Sequence, residues 1–232
     1  MAFIYGREIL CTSSMGYPEG QKAEYDRFWD AYQKNGSAVD YRGAFGGARW
    51  TLDIFKPKYD IKPVTAGNMF WANLMEVDLA ELLSELGVVL DFSDASNVNS
   101  LFSYAYFTRL GELDLRKATS ASSVFASMSK LVTIDKIITS EKTPFTAWFN
   151  DCAVLENVVF EGIIAKNGLN LQWSTNLSKA SITSVIKALS TTTSGLAVTL
   201  SKTAVETAFG STTSAEWTSL IGTRSNWTIT LV

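Results

Sequence analysis

LFSYAYFTRLGELDL (101–115), VFASMSKLVTIDKI (124–137) and WFNDCAVLENVVF (148–160) are three stretches of the chain that align with one another on an aromatic residue. The aligned residues Phe102, Phe125 and Phe149 lie 23 and then 24 residues apart. Each is followed by a leucine, at positions 110, 131 and 155, and then by a short run that alternates apolar and other residues. A unit of this length is too short to bury its own apolar face, so neighbouring units must stack.

The apolar runs that end these units predict short parallel strands over residues 88–160. Stacking in register would bury one apolar residue of each strand together, and the pattern selects Leu90, Leu113, Ile134 and Val158 for this role. The strand before the first aligned stretch is predicted from VVLDF, in which Leu90 and Phe92 are the apolar pair.

The aromatic residues predict a second feature, a continuous buried column that contains Phe102, Phe125 and Phe149. Weaker copies of the same unit are recognised at Phe70, in MFWANL, and at Trp173, in LQWSTNLSKA. With these copies the pattern covers residues 65–180, which we interpret as the solenoid domain.

The units resemble the BspA-type leucine-rich repeat, whose pattern is approximately A-F-x-x-C-x-x-L-x-x-I-x-I. WFNDCAVLENVVF matches it nearly position for position, whereas the Phe102 and Phe125 units lack the cysteine and carry Tyr106 and Ser129 nearby. The resemblance implies a leucine-rich-repeat solenoid, an α/β repeat fold with one parallel β-sheet. Cys152 is then a buried structural residue and not a reactive thiol.

The sequence before the repeats, residues 1–64, contains an amphipathic segment, QKAEYDRFWDAYQK (21–34). Helical spacing places four aromatic side chains on one face: Tyr25, Phe28, Trp29 and Tyr32. Such a face must be covered, either by the first layer of the solenoid as a cap or by equivalent helices of other copies. We expect a homo-oligomer, with a trimer as the favoured state.

Further helices are predicted on either side of the strands. VDLAELLSELG reads as a helix that Asp78 caps and Gly87 ends. In the carboxyl-terminal part, residues 181–232, the pattern predicts that a helix over about 180–189 leads into a strand LAVTL, two short helices and a final strand WTITL. We interpret this part as a last repeat and an α/β cap.

The flanking helix, the irregular repeats and the carboxyl-terminal tail together resemble leucine-rich-repeat proteins of phages and prophages of gut-associated Gram-positive bacteria. That resemblance implies a tail-associated or adhesion protein, located on a virion or outside the cell, with other virion proteins as partners. The amino terminus, MAFIYGREILCTSSMG, has no basic region followed by an apolar one, so we expect no signal peptide.

Composition disfavours several classes of function. Histidine is absent, which removes the commonest general base and the commonest metal ligand. No GxSxG, P-loop or GxGxxG motif occurs, and the glycine-rich GAFGG (43–47) predicts a turn because no Lys-Ser/Thr follows it. The net charge is −3 and the basic residues are scattered, so a nucleic-acid partner is not expected. We also expect no cofactor, no metal and no membrane span.

One group of charged residues stands out on the predicted sheet. Asp91, Asp114 and Asp135 each follow an apolar strand residue, so strand alternation points them outward in three successive strands. Like charges in adjacent strands repel unless a cation or the nearby Arg116 and Lys136 compensate. These five residues form the candidate binding site, and a solvated face with basic neighbours is the alternative to a bound cation or glycan.

The sequence therefore predicts a non-catalytic binding or structural module that contacts a host-surface protein or glycan. Trp29, Trp50, Tyr59 and Trp71 concentrate in the amino-terminal third, and exposed rings of this kind stack on sugars. Core packing is the alternative role for them. Two other functions remain open, a glycan-degrading enzyme that uses carboxylates on the sheet face and a bacterial cell-surface adhesin.

Overall fold

The computed structural model describes two amino-terminal strands, residues 39–47, three single residues (Leu52, Phe55 and Pro57) and the continuous range 60–232. Within these residues the protein is a mixed α/β structure with small sheets, mostly parallel, and four helices. The predicted aromatic helix at 21–34, with Tyr25, Phe28, Trp29 and Tyr32, lies outside the described residues.

The strands form three sheets. Strands β1–β4 pair in sequence order, β5–β7 form a central sheet, and the third sheet has the order β10-β9-β8. All strand pairs are parallel except β1 with β2. In chain order the elements are β1 (Ala2–Tyr5), β2 (Glu8–Cys11), β3 (Val39–Asp40), β4 (Pro63–Thr65), α1 (Leu79–Glu85), β5 (Arg109–Asp114), β6 (Thr133–Thr139), β7 (Asn157–Gly162), β8 (Asn170–Leu171), α2 (Lys179–Ala188), β9 (Leu196–Leu200), α3 (Lys202–Phe209), α4 (Ala215–Gly222) and β10 (Trp227–Leu231).

The central sheet confirms the predicted parallel strands but corrects their register. Leu110 is the residue of β5 that pairs with Ile134 and, through it, with Val158. Leu113, which was expected in that row, pairs with Ile137 instead. Leu110, Leu113, Ile134 and Val158 are all buried, so the apolar face forms as expected although its rows are shifted by three residues.

The strand predicted at Leu90 is absent from the central sheet. Leu90 forms an isolated parallel bridge with Ile61, and Asp78, the residue before α1, forms another with Arg109 at the start of β5. Leu90 therefore does not join the central sheet. The Asp78 carboxylate accepts a hydrogen bond from the Glu81 backbone N–H at 2.9 Å and caps α1, as its sequence predicted.

A ladder of stacked turns runs beside the sheet. Each turn has two residues with positive φ four positions apart, and the pairs are Gly43 and Gly47, Asn68 and Ala72, Ser100 and Tyr104, Ser123 and Ser127, and Ala147 and Asp151. Backbone hydrogen bonds join each turn to the next: the Ser100 N–H donates to the Ser122 carbonyl at 2.8 Å and the Tyr104 N–H to the Ala126 carbonyl at 2.9 Å. The segment GAFGG is thus the first turn of this ladder.

The phenylalanine column lies inside the ladder, and its prediction is confirmed for Phe102, Phe125 and Phe149. The ring of Phe125 stacks on Phe102 at 6.0 Å and on Phe149 at 5.1 Å between centroids, and all three side chains are buried. Phe70 stacks on Phe102 at 5.2 Å, and Phe45 lies 5.2 Å from Phe70, so the column continues toward the amino terminus.

Trp173 does not belong to this column, which corrects the expectation of a further copy there. Its side chain is 47% exposed. Leu171 and Leu177 on either side of it are buried and contribute to the core instead.

Helix α2 closes the free edge of β7 with two serine side chains. The Ser181 hydroxyl accepts from the Val158 N–H at 2.9 Å and donates to the Glu156 carbonyl at 3.1 Å. Ser184 accepts from the Phe160 N–H at 3.2 Å in the same manner. These hydroxyls satisfy backbone groups that another strand would otherwise pair, so the sheet ends without an open edge on this side.

Candidate binding surface

The outward side of β5–β7, which we call the strand face, carries charged residues held in ion pairs. Arg109 donates to both carboxylate oxygens of Asp135, each at 2.8 Å, and its third contact reaches Asp78 at 3.3 Å. The hydrogen bonds to Asp135 raise the pKa of Arg109, so this guanidinium stays charged. One arginine therefore neutralises carboxylates from two different segments.

Lys136 has a similar bridging role on the same face, but with glutamates instead of the predicted aspartates. Its ammonium lies 3.1 Å from the Glu112 carboxylate and 3.2 Å from that of Glu161. The contact with Glu112 is the main reason why the pKa of Lys136 is raised. Lys136, on the middle strand of the central sheet, thus links carboxylates on the two strands that flank it.

The predicted row of Asp91, Asp114 and Asp135 does not form. Asp114 stands opposite Ile138 in the register of the sheet, and Asp135 lies near the middle of its own strand. The Asp91 carboxylate accepts from the Ser93 N–H at 2.9 Å, so it caps a turn. The like-charge repulsion that we expected is therefore relieved by register, and the described residues contain no group of three or more carboxylates and thiols that could hold a metal.

Asp114 is tied to Arg116 as the sequence suggested. The Arg116 Nη2 donates to the Asp114 carboxylate at 2.6 Å, and the Arg116 N–H donates to it at 3.1 Å. The side-chain hydrogen bond from Arg116 holds the pKa of Asp114 below its ordinary value and raises the pKa of Arg116. Asp114 is thus a stable anion that also caps a turn, and it is poorly suited to donate a proton.

The Cys152 thiol is chemically protected, in agreement with its predicted structural role. Its side chain is fully buried, and its Sγ donates to the Phe125 carbonyl at 3.0 Å. Burial raises the pKa of Cys152 to about 12. The thiol therefore remains protonated at neutral pH and offers no nucleophile.

An apolar cleft of about 250 Å³ lies between helix α1 and the edge of strand β5. Its walls include Leu83, Leu90 and Leu113, and Ser84 and Glu112 are the polar residues at its border. Glu112 is already paired with Lys136. The cleft therefore lacks convergent polar groups that would orient a ligand or a reacting substrate.

Two aromatic side chains are exposed together on the turn ladder. The rings of Trp71 and Tyr104 meet edge to face at 6.3 Å between centroids, and the side chains are 43% and 53% exposed. Leu74, three residues after Trp71, is also exposed. Trp71 was predicted as a sugar-stacking candidate, whereas Tyr104 was missed because its stretch was recognised only for the buried Phe102.

One position of the ladder has positive φ in successive turns, at Ala72, Tyr104, Ser127 and Asp151. We call this line of residues, together with Trp71 next to Ala72, the turn ridge. The Ser127 N–H donates to the Asn150 carbonyl at 2.7 Å, which places Ser127 beside Asp151. The Ser127 hydroxyl donates to the Asp151 carboxylate at 3.5 Å. The ridge thus passes from aromatic to hydroxyl to carboxylate groups.

Comparisons with protein-family models, with curated proteins and with solved structures find no significant match to this chain. No helix among the described residues is long and apolar enough to cross a membrane.

Proposed function

We propose that the protein is a non-catalytic binding or structural module built as a short leucine-rich-repeat solenoid. The stacked turns, the parallel strands 24 residues apart and the phenylalanine column support this interpretation. A stack of this kind presents rigid rows of surface residues, which can bind a ligand without a conformational change.

The observation that carries the binding function is the exposed pair Trp71 and Tyr104. Large aromatic rings are usually buried, and these two are held in contact on a hydrogen-bonded ladder while about half of each side chain faces solvent. A rigid aromatic surface loses little conformational freedom on binding, which favours affinity. We infer that this pair is the centre of the ligand-contacting surface.

The biological setting that we propose is a phage tail or a related extracellular assembly, with a host-surface protein or glycan as ligand and other virion proteins as partners. Support comes from the resemblance of the repeats and flanking segments to phage-encoded leucine-rich-repeat proteins. A bacterial cell-surface adhesin is the alternative setting, and it would use the same surface.

The enzymatic alternative has less physical support. A glycosidase needs one carboxylic acid that remains protonated until it donates to the leaving group. Asp114 has a lowered pKa, and Asp135 is bound by both donors of a charged arginine. Asp114 is therefore held as an anion, which is the wrong state for a general acid, and Asp135 is occupied by its ion pair with Arg109.

The test is binding of the labelled full-length protein to intact Gram-positive cells of several species, followed by flow cytometry. We expect Trp71→Ala and Tyr104→Ala to abolish most of the binding, and Trp173→Ala to leave it unchanged. Trp173 is the matched control because it is a similarly exposed aromatic that lies outside the turns with paired positive-φ residues. Equal binding by all three variants, or release of reducing sugars from the cells, would contradict the proposal.

The proposed homo-oligomer, with a trimer favoured, rests on the stripe Tyr25, Phe28, Trp29 and Tyr32. We expect light scattering to give an oligomer for the intact chain and a monomer for a chain that begins at residue 36. If both are monomeric and the shorter chain is merely less stable, the helix is a cap and the oligomer is wrong.

A further inference from the structure

The turn ridge combines groups that recognise one chemical class of ligand. Trp71 and Tyr104 present apolar ring surfaces, which suit the C–H faces of a pyranose ring. Ser127 and Asp151 follow in the next two turns and present a hydroxyl and a carboxylate, which suit the hydroxyl groups of a sugar. Along one line, apolar groups that match a sugar face are thus followed by polar groups that match sugar hydroxyls.

We propose that the turn ridge binds a neutral oligosaccharide, with Trp71 stacking on one sugar ring, the perpendicular ring of Tyr104 contacting the side of that sugar, and Ser127 and Asp151 accepting hydrogen bonds from the next. This inference rests on the proposed binding function and assigns its ligand class. Adjacent turns are separated by roughly 5 Å, so the ridge from Ala72 to Asp151 spans roughly 15 Å. That length fits a short oligosaccharide better than a single sugar.

Charge on the ridge argues against an acidic glycan. Asp151 is exposed, and its contact is with the neutral Ser127 hydroxyl. Lys130, three residues after Ser127, lies 3.3 Å from the Glu76 carboxylate and is thereby neutralised. A uronic or sialic acid would approach an unneutralised carboxylate and be repelled. A charged carboxylate is also a strong acceptor for two neighbouring sugar hydroxyls.

The geometry of the backbone makes the ridge rigid before a ligand arrives. Tyr104, Ser127 and Asp151 have φ values of 61°, 58° and 59°, and such a conformation persists only where surrounding structure maintains it. The hydrogen bonds from each turn to the next supply that support, with the Tyr104 and Ser127 N–H groups both donating. Side chains held in this way are preorganised for binding.

The experiment is isothermal titration calorimetry of the full-length protein with three probes, maltohexaose, chitohexaose and hexagalacturonate. We expect at least one neutral probe to bind and the acidic probe to bind at least about tenfold more weakly. Trp71→Ala should weaken the neutral complex at least about tenfold. Trp173→Ala should leave it unchanged. Circular dichroism confirms that each variant is folded.

Asp151→Asn separates the charge argument from simple stacking. The change should weaken binding of the neutral probe, because a charged acceptor is lost, and should narrow the gap between neutral and acidic probes. Preferred binding of hexagalacturonate to the unmodified protein, or neutral binding that survives Trp71→Ala, would overturn the inference. If cells bind through Trp71 and Tyr104 but none of the probes competes and protease treatment of the cells abolishes binding, the binding function stands and the glycan assignment is wrong.

Discussion

Replacing Phe125 by alanine tests the phenylalanine column directly. Phe125 is fully buried, and its ring lies between Phe102 and Phe149 with Trp148 at 5.7 Å on a third side. Alanine at this position would leave a cavity between the three neighbouring rings, which the hydrogen-bonded turns hold in place. Because such a site collapses poorly, we expect a loss of about 4 kcal/mol in the free energy of unfolding, within the range for buried phenylalanines.

Two further variants calibrate that number. Phe125→Leu keeps most of the buried volume and should cost about 1–1.5 kcal/mol. Trp173→Ala removes the aromatic that was expected in the same column but is half exposed, and it should cost less than about 1 kcal/mol. The measurement is guanidinium chloride unfolding followed by circular dichroism, with the dependence of the unfolding free energy on denaturant compared between variants.

The difference in unfolding free energy between Phe125→Ala and Trp173→Ala tests which residues belong to the phenylalanine column. If Phe125→Ala costs less than about 1 kcal/mol, the stacking of these rings does not stabilise the fold. If Trp173→Ala costs as much as Phe125→Ala, the column extends to Trp173 and the observed arrangement is wrong at that position.

Three other changes have expected outcomes. Gly162→Ala should lower the free energy of unfolding by about 3 kcal/mol or more, because Gly162 has a φ of 88° and an added Cβ would overlap a backbone carbonyl. Gly195→Ala, also at positive φ but in open space, should lower it by about 1 kcal/mol. Equal losses in a denaturant titration would refute the steric argument. Ser181→Ala should cost about 1–3 kcal/mol by leaving the edge of β7 unpaired, and amide hydrogen exchange should accelerate selectively there. In a Cys11→Ser background, Cys152 should resist a thiol reagent at pH 8 until the protein unfolds, and rapid labelling of the folded protein would contradict this expectation. Folding raises the pKa of Cys152 to about 12. Its contribution to stability is therefore complete below the ordinary thiol pKa and is lost as the pH rises toward 12.

Regular features of the stack could be predicted because they depend on local pattern. The aligned phenylalanines recur at nearly constant spacing, and a recurring apolar residue in so short a unit has to be buried by its neighbours. The start of helix α1 was predicted equally well, because Asp78 caps it by accepting a hydrogen bond from the Glu81 N–H, three residues along the chain. Interactions of such short range are visible in sequence.

The register of the sheet could not be predicted because it depends on how the turns position each strand. Counting from the leucines placed Leu113 beside Ile134, but the turn ladder brings Leu110 there, and a bulge between Ile134 and Ile137 shifts the next pair. The expected row of Asp91, Asp114 and Asp135 does not form for the same reason. A shift of three residues separates Asp114 from Asp135 and gives each its own arginine.

The surface site was only partly predictable. Trp71 was recognised for its residue type, but nothing in the sequence distinguishes Tyr104 and Trp173 from aromatic residues that are buried. The turn ladder exposes Tyr104 next to the buried Phe102, and its last pair of positive-φ residues ends at Asp151, before Trp173 is reached.

The sequence by itself predicted that short units stack, that three phenylalanines are buried and that Asp78 caps a helix, because each of these follows from spacing or from hydrogen bonds along the chain. Tertiary structure decided which strand residues meet, which charges pair and which aromatic rings stay in water. Those outcomes depend on distances between residues more than twenty positions apart, such as Arg109 to Asp135 and Trp71 to Tyr104, and the ladder of turns sets those distances.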